Sequence, residues 1–207
     1  MVRVPAMRTL ENALRRVGFV HVAGVDEVGR GCLAGPVVAA AVVLHPGRHI
    51  AGVCDSKLVT SAERERLYDR IVTQAVAWAV ASADPGEIDR INIHQASLRA
   101  MQRAVLGLAP LPDIVLVDAF RVPELPMAQR GVLHGDRRCS AIAAASIIAK
   151  VTRDRQMREL HGQDPRYGFD RHKGYATADH LDAVARFGYS HVHRRSFRPP
   201  TLFDTIE

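Results

Sequence analysis

A continuous apolar run, Val37–Leu44 (VVAAAVVL), follows Gly35-Pro36 and most restricts the folds open to this chain. Its length suits a β-strand, and its ends are rich in Val. A strand without polar alternation is buried on both faces, so other elements must cover both sides of its sheet. We therefore predict an α/β protein with helices flanking a sheet. No apolar run reaches the roughly 18 residues that a membrane span needs.

Shorter patterns complete the predicted fold. Four more strands are predicted from runs bounded by Gly, Pro or Asp: Phe19–Val25, Ala75–Ala83, Asp113–Val117 and Gly131–His134. Spacing and capping residues predict four helices: Ser61–Gln74 (capped by Ser61), Glu87–Leu108, Ser140–Arg158 and Thr177–Arg186. We expect a loop over 164–174 and a tail that frays from His191. The order of elements predicts a mixed five-stranded sheet, with a catalytic domain at 1–165 and a helical, basic extension at 166–207 packed on it.

The charge of the chain points to a polyanionic partner. It carries 28 Lys and Arg against 22 Asp and Glu, a formal net charge of +6. Net charge bears on association and not on fold. We expect the arginines between positions 153 and 198 to contact a nucleic-acid duplex; a solvated face is the alternative. Lysine occurs at three positions only: Lys57, Lys150 and Lys173.

Four carboxylates follow predicted strands. Asp26 and Glu27 lie where the first strand is expected to stop, Asp118 ends the fourth, and Asp136 follows the fifth. Sites in α/β proteins gather at strand ends. If the four converged they would repel one another, so cations such as Mg²⁺ or Mn²⁺ would have to lie between them. The alternative is that each acid only caps a turn or a helix.

Other reactive residue types suit packing better than chemistry. Cys32, Cys54 and Cys139 form no C-x-x-C motif, so we expect them in the core of a protein from a reducing compartment. Trp78, in the middle of an Ala/Val strand, is expected in the core as well. The histidines of His191–His193 are interpreted as surface residues rather than zinc ligands.

Six motifs, in order, resemble those of ribonuclease HII, the type 2 ribonucleases H. They are Gly24–Gly31 (GVDEVGRG) with Gly35–Val37, Asp55–Leu58 (DSKL), Val117-Asp118, Gly135-Asp136, Ser140–Arg155 (SAIAAASIIAKVTRDR), and Tyr167–Phe169 with His172–Tyr175. The resemblance extends from about Phe19 to Phe197. Two departures are Ala119, where many family members carry Gly, and Leu58, where many carry a second basic residue.

This resemblance implies an RNase H-like fold with a small helical C-terminal extension. It also implies a metal-dependent phosphodiester hydrolase that cuts RNA in RNA–DNA hybrids. Such an enzyme also nicks 5′ of single ribonucleotides in duplex DNA, as in ribonucleotide excision repair, and leaves 3′-hydroxyl and 5′-phosphate ends.

The same resemblance assigns roles to individual residues. The acids Asp26, Glu27, Asp118 and Asp136 would bind two Mg²⁺ or Mn²⁺ ions and act in catalysis. Contacts to substrate are expected from Gly29, Arg30 and Gly31 at the RNA–DNA junction, from Tyr175 near the deoxyribose, and from Ser56, Lys57, Lys150 and Lys173.

Two other functions stay open. A structure-selective DNA nuclease or transferase of the same fold would need the four acids but not the Gly-Arg-Gly and Tyr175 set. A catalytically silent hybrid-binding module would not need all four acids. We also expect a cytoplasmic monomer without a membrane partner. A sliding clamp is a further possible partner, through Phe197, Leu202 and Phe203, although that pattern is generic.

Overall fold

A mixed five-stranded sheet forms the centre of the protein. The computed structural model describes residues 7–54, 56 and 59–197. The strand order is β3-β2-β1-β4-β5; β1, β2 and β3 are antiparallel neighbours, whereas β1, β4 and β5 run parallel. The strands are β1 Val22–Val28, β2 Val37–Val43, β3 Ala77–Ala83, β4 Ile114–Asp118 and β5 Ala128–Val132. The predicted α/β class and five-stranded mixed sheet are confirmed.

Helices occupy both faces of this sheet and the C-terminal region. They are α1 Thr9–Arg16, α2 Ser61–Gln74, α3 Pro85–Ile91, α4 Ile93–Leu106, α5 Gly135–Arg138, α6 Ser140–Gln163, α7 Phe169–His172 and α8 Ala178–Phe187, with a 3-10 turn at Pro165–Tyr167. Within the described ranges, no helix is long and apolar enough to cross a membrane.

The apolar run that predicted a doubly covered strand is β2, and all its residues are buried. Ala40 and Val42 pack in a cluster with α2 and α6, whereas Ala39 and Ala41 pack with α4 on the other face. This alternation follows from the opposite directions of successive side chains in a strand. β2 is therefore anchored in both helical layers.

Helix α6 is capped by a side chain from α1, a helix that the sequence patterns do not predict. Its own N-cap residue, Cys139, makes no side-chain cap. Instead the buried Glu11 carboxylate accepts a hydrogen bond from the Ala141 amide at 3.0 Å. Burial raises the pKa of Glu11. A carboxylate is stabilised at this end of a helix by the helix dipole, so α1 fixes where α6 begins.

Local capping explains where three predicted elements differ. Thr60, rather than Ser61, caps α2, and its hydroxyl accepts a hydrogen bond from the Glu63 amide at 3.3 Å. The helix predicted over 87–108 is divided at Asn92, whose φ of 65° ends α3 and whose side chain caps α4. The loop predicted over 164–174 contains the 3-10 turn and α7 instead.

The C-terminal segment is packed, so the expectation that the chain frays from His191 is wrong as far as residue 197. The Gly35 amide donates to the Val192 carbonyl, and the Arg194 amide donates to the Leu33 carbonyl, both at 2.8 Å. These bonds attach the segment to the connection between β1 and β2. Sequence spacing gives no sign of this pairing because its two partners are far apart in the chain.

Other packing predictions have mixed outcomes. Phe197 packs on the cluster around Val37 and Ile88, whereas Leu202 and Phe203 lie outside the described residues. Trp78 is 38% exposed on the edge strand β3, so its assignment to the core is wrong.

The prediction that the three cysteines lie in the core is confirmed. Cys32, Cys54 and Cys139 are buried free thiols. Burial raises the pKa of Cys139 to about 12. A thiol with so high a pKa is protonated at neutral pH and is a poor nucleophile, which fits a packing role.

Candidate active site

Two acidic residues are brought together by the parallel pairing of β1 and β4. Val25 and Val117 are register partners, so Asp26 and Asp118 follow at the same end of two adjacent strands. The prediction that the first strand ends at Val25 is wrong, because β1 continues to Val28. Asp26 and Glu27 therefore lie inside the strand, near its C-terminal end. Both carboxylates interact electrostatically with Asp118.

Asp26 is a buried carboxyl group held by helix α6. It is 8% exposed and accepts a hydrogen bond from Ser146. The pKa of Asp26 is raised well above its usual value, first by burial and then by the charges of Glu27 and Asp118. A second hydroxyl, from Ser56, lies 2.9 Å from that of Ser146. The two serines thus form a buried support for the first carboxylate.

Glu27 has a different partner. Its Oε1 atom accepts a hydrogen bond from Nη1 of Arg30 at 3.2 Å, and the Arg30 guanidinium also lies 4.9 Å from the centre of the Phe120 ring. Burial raises the pKa of Glu27, and Arg30 opposes that shift. Arg30 is therefore fixed between a carboxylate and an aromatic ring at the start of the loop after β1.

Asp118 is oriented by backbone geometry. Its Oδ1 atom accepts a hydrogen bond from the Gly135 amide at 2.8 Å. A methyl group at Gly135 would lie 2.5 Å from Cδ1 of Ile142, so a larger residue there would force this buried side chain to shift. Ala119 has a φ of 60°, a conformation that costs a non-glycine residue about 1 kcal/mol. Glycine would adopt this conformation without that cost.

Asp136 directly follows Gly135 at the start of α5 and is buried. The Asp118–Gly135 bond brings this fourth acid to the same end of the sheet as the other three. Among residues 7–54, 56 and 59–197, however, no three Asp, Glu, His or Cys side chains stand close enough together to hold a metal ion as they are. The predicted convergence of all four acids thus stays a prediction.

The donor set nevertheless fits a hard divalent cation. Carboxylate oxygens are the ligands that Mg²⁺ and Mn²⁺ prefer. Burial and mutual repulsion disfavour the ionised form of Asp26, and a cation beside it would stabilise that form and offset both effects. Ordinary turn-capping does not account for a raised pKa, because hydrogen bonds from capping amides lower the pKa of a carboxyl group.

The glycine-rich loop lies beside this acidic cluster. Gly29 has a φ of 90°, and a methyl group there would meet the Arg153 side chain at 2.2 Å. Gly31 is exposed, and a methyl group on it would have nothing within 4 Å. The first glycine is therefore required by the fold, whereas the last leaves an open approach to the backbone.

Tyr175 is 42% exposed and lies next to the same loop. The Leu33 amide donates to the Gly174 carbonyl at 2.8 Å, and the Tyr175 side chain interacts with the Cys32 thiol. Burial of part of the ring raises the pKa of Tyr175. The structure thus places the exposed aromatic face and the glycine-rich loop side by side, although 144 positions separate residues 31 and 175 in the sequence.

Three of the remaining predicted substrate residues, Lys150, Lys173 and Ser56, have protein partners. Nζ of Lys150 donates to Asp154 at 2.6 Å, and Nζ of Lys173 donates to the Asp170 carbonyl. Burial lowers the pKa of Lys173. Ser56 is buried and bound to Ser146, as described above, while Lys57 lies outside the described residues.

Two arginines that were expected on a duplex-binding track are buried instead. Arg153 and Arg194 are fully inaccessible and donate to backbone carbonyls. Outside the predicted track, the partly buried Arg64 donates to the carbonyls of Ser56 and Val59 at 3.0 and 2.9 Å and so bridges that segment. Sequence reasoning missed these roles, since surface and buried arginines look alike in a basic sequence.

Comparison with known proteins gives a consistent family. The family model described as ribonuclease HII matches residues 23–199. The chain is 56% identical to a ribonuclease HII of Ralstonia nicotianae over 179 residues, which covers 85% of this chain and 76% of that protein. It is 49% identical to a ribonuclease HII of Desulfitobacterium hafniense over 197 residues, covering 95% and 76% of the two chains.

Solved structures with the same fold include ribonuclease H2 from Pyrococcus horikoshii, at a TM-score of 0.73 and 26% identity over 86% of this chain and 94% of that one. The RNase HII of Archaeoglobus fulgidus, solved in complex with PCNA, also gives a TM-score of 0.73 and 26% identity, covering 89% and 100% of the two chains. The predicted RNase H-like fold is confirmed by these neighbours.

Proposed function

The chain belongs to the ribonuclease HII family, and from that premise we propose that it is an endonuclease for ribonucleotides embedded in duplex DNA as well as for RNA–DNA hybrids. The strand is cut 5′ of the ribonucleotide, leaving a 3′-hydroxyl and a 5′-phosphate. This activity would place the enzyme at the first step of ribonucleotide excision repair.

One observation carries the proposal: crowded carboxylates, buried or partly buried, lie beside a glycine-rich loop in which Gly31 is exposed. The charges of Glu27 and Asp118 raise the pKa of Asp26, although burial is the larger cause. A metal-dependent nuclease needs such a carboxylate cluster at the phosphate, and a protein that reads the 2′-hydroxyl through backbone amides needs open backbone nearby. Both features lie at the same end of β1.

The four acids are the residues that would hold two divalent cations, Mg²⁺ or Mn²⁺: Asp26, Glu27, Asp118 and Asp136. Two such cations, when bound, activate the attacking water and stabilise the leaving oxygen of a phosphodiester. The protein contributes the fixed orientation of its carboxylates. Ser146 holds Asp26, and the Gly135 amide holds Asp118, so these oxygens need little rearrangement.

Recognition of a ribonucleotide depends on its 2′-hydroxyl, the group that distinguishes RNA from DNA at a single nucleotide. The backbone of residues 29–31 is the proposed reader, because Gly31 leaves it unshielded. Tyr175 would stack on the sugar of the following deoxynucleotide with its exposed ring face. Contacts to the phosphates would be assisted by Lys57, Lys150 and Lys173. Ser56 is buried, so it would assist by positioning the segment of the chain that contains it.

The experiment is incubation with a DNA duplex that contains one ribonucleotide, in Mg²⁺ or Mn²⁺. We expect one nick, immediately 5′ of the ribonucleotide, in wild-type protein. An Asp118→Asn variant should retain substrate affinity and lose more than about 10²-fold in rate, since an amide oxygen is a weaker ligand than a carboxylate. Absence of a nick would contradict the proposal; cleavage of an all-DNA duplex would favour the structure-selective DNA nuclease instead.

Junction reading is tested separately with Tyr175→Ala. This variant should lose more activity on the single-ribonucleotide duplex than on a long RNA–DNA hybrid, because only the first substrate depends on one junction. Equal losses on the two substrates would contradict the assigned role of Tyr175.

A sliding clamp is a second proposed partner. The support is the Archaeoglobus relative, which was solved as a complex with PCNA. Co-elution of the purified chain with the clamp of its own organism tests this proposal, and a variant truncated after residue 197 should not co-elute.

A further inference from the structure

Arg194 is a buried cation that binds backbone carbonyls of the proposed ribonucleotide-reading loop. Its side chain is 0% exposed. The guanidinium donates to the carbonyls of Gly29 at 2.6 Å, Arg30 at 2.9 Å and Gly35 at 3.0 Å. Within the described parts of the chain it forms no ion pair with a carboxylate. A full positive charge is therefore buried to hold three carbonyl groups.

This arrangement determines where the loop amides point. In a trans peptide the carbonyl and the N–H of the next residue point in opposite directions. With the Gly29 and Arg30 carbonyls held by the guanidinium inside the protein, the amides of Arg30 and Gly31 face away from it. In the described part of the chain, neither amide donates to another protein group. The exposed position of Gly31 leaves this side of the loop open.

We propose that Arg194 is a positioning residue for ribonucleotide recognition: it turns the amides of Arg30 and Gly31 outward as hydrogen-bond donors for the 2′-oxygen. The inference rests on the proposed function, since it needs a ribonucleotide at this loop. Arg194 itself contacts no substrate and acts only through the loop backbone.

The geometry requires a guanidinium. Three carbonyls are bound by three different nitrogen atoms, Nε, Nη1 and Nη2, in one rigid plane. An ammonium group concentrates its donors on one atom and cannot span the same three acceptors. Burial lowers the pKa of Arg194 to about 10, which still leaves the group charged at neutral pH.

The neighbouring contacts hold Arg194 in place. Its own amide donates to the Leu33 carbonyl at 2.8 Å, and its guanidinium lies 5.1 Å from the centre of the Phe197 ring. The adjacent Arg195 is exposed, and its amide donates to Asp89 at 2.9 Å. Two consecutive arginines thus have opposite environments, and only the first reaches the loop.

The test compares the affinities of Arg194→Lys for two duplexes, one with a single ribonucleotide and one all-deoxy, otherwise identical. Asp118→Asn is included in every protein, so that bound substrate is not cut, and affinity is measured by fluorescence anisotropy. Tyr167→Phe is the matched control. It removes a partly buried hydrogen bond to the Gly188 carbonyl, 2.8 Å long, in the same C-terminal region but away from the loop.

We expect Arg194→Lys to reduce the preference for the ribonucleotide duplex by about tenfold, the effect of weakening one or two hydrogen bonds. Affinity for the all-deoxy duplex should change less than twofold, and Tyr167→Phe should keep the preference. Loosened packing alone would lower both affinities together. The thermal unfolding transition shows whether Arg194→Lys is folded. If it is not, Arg194→Gln gives the same comparison without a buried charge.

Retention of the full preference in a folded Arg194 variant would overturn the inference while leaving the proposed function intact. An equal loss of preference in Tyr167→Phe would also overturn it, because the effect would then belong to the packing of the whole region. Equal affinity of the parent protein for the two duplexes would instead contradict the proposed function, and the inference with it.

Discussion

Gly24 and Gly31 lie seven positions apart and have different reasons to lack a side chain. A methyl group on Gly24 would lie 2.2 to 2.6 Å from backbone atoms of Ala141 and Ile142 in α6. A methyl group on Gly31 would meet nothing within 4 Å. The first position is therefore fixed by packing between sheet and helix, and the second is free in the protein without substrate.

We expect Gly31→Ala to separate activity from stability. The free energy of unfolding should change by less than about 0.5 kcal/mol, because the new methyl group has no protein neighbour. The rate of nicking at a single ribonucleotide should fall at least tenfold, because the methyl group lies on the substrate side of the loop. Denaturant unfolding and the nicking assay measure the two effects, and an unchanged rate would contradict the placement of substrate at this loop.

Gly24→Ala should do the opposite and destabilise the protein by about 3 kcal/mol. A backbone clash of this size cannot be relieved by a rotamer change, so the sheet and α6 must move apart. Gly162→Ala is the control, since that helical glycine has open space around it and alanine favours helix by up to about 1 kcal/mol. Similar unfolding midpoints for the two variants would show that α6 does not pack so closely on β1.

The acids were predictable one residue at a time, but the buried arginines were not. Asp26, Glu27 and Asp118 follow apolar runs. An acidic residue directly after such a run indicates a position at the end of a strand, where sites in α/β proteins gather. Arg194 and Arg195 are identical in type and adjacent, so no local signal separates the buried one from the exposed one. The difference arises only from the contact between residues 192–194 and 33–35.

At the scale of elements, three histidines link the C-terminal helices to the loop that carries Tyr175. The Ser190 amide donates to Nδ1 of His193 at 3.0 Å, so the His193 proton is on Nε2 and points at Nε2 of His180, 3.1 Å away. Nδ1 of His180 in turn donates to the Tyr175 carbonyl at 2.9 Å. His172 stacks on His180 with ring centres 4.4 Å apart. This chain of bonds requires neutral His180 and His193.

The pH dependence follows from that network. Burial lowers the pKa of His193 to about 4, below the ordinary value of 6.5 that it regains on unfolding. The unfolded chain therefore takes up a proton first, and stability present above about pH 6.5 is lost as pH falls toward 4. The free-energy difference between wild type and His193→Gln should narrow by about 1 to 2 kcal/mol between pH 7 and pH 5.

Denaturant unfolding at the two pH values measures this change. Comparison of each variant with wild type at the same pH cancels the opposite contributions of Glu11, Asp26 and Glu27, whose folded-state pKa values are raised. His191→Gln is the matched control because His191 is exposed, and its difference from wild type should stay constant. If the difference in unfolding free energy between wild type and His193→Gln is the same at both pH values, His193 is not kept neutral by the fold.

Elements were predicted well where periodicity is strong. α2 has the predicted bounds, and β2 lies within its predicted run. Short elements around α5, α7 and the 3-10 turn were missed, because they depend on glycines and capping contacts supplied by tertiary packing. α1 and the packed C-terminal segment were missed for a related reason: each is held by contacts with residues more than 100 positions away.

At the scale of the whole molecule, the parallel neighbours β1 and β4 are what create a site from separate motifs. Asp26 and Asp118 are 92 positions apart in sequence, yet their strands are register partners. The family resemblance indicated which acids belong together, whereas charge patterning alone indicated only a basic protein. The C-terminal segment completes the same end of the sheet by holding the loop after β1.

The central proposal is that the four acids at this end of the sheet hold two divalent cations at the scissile phosphate. Anomalous diffraction from crystals of the protein with Mn²⁺ and a duplex containing one uncleavable ribonucleotide tests it most directly. We predict two manganese peaks about 4 Å apart, both bound by carboxylates from Asp26, Glu27, Asp118 and Asp136 and both in contact with the phosphate 5′ of the ribonucleotide. A phosphate bound at this loop with no manganese on these acids would contradict the claim.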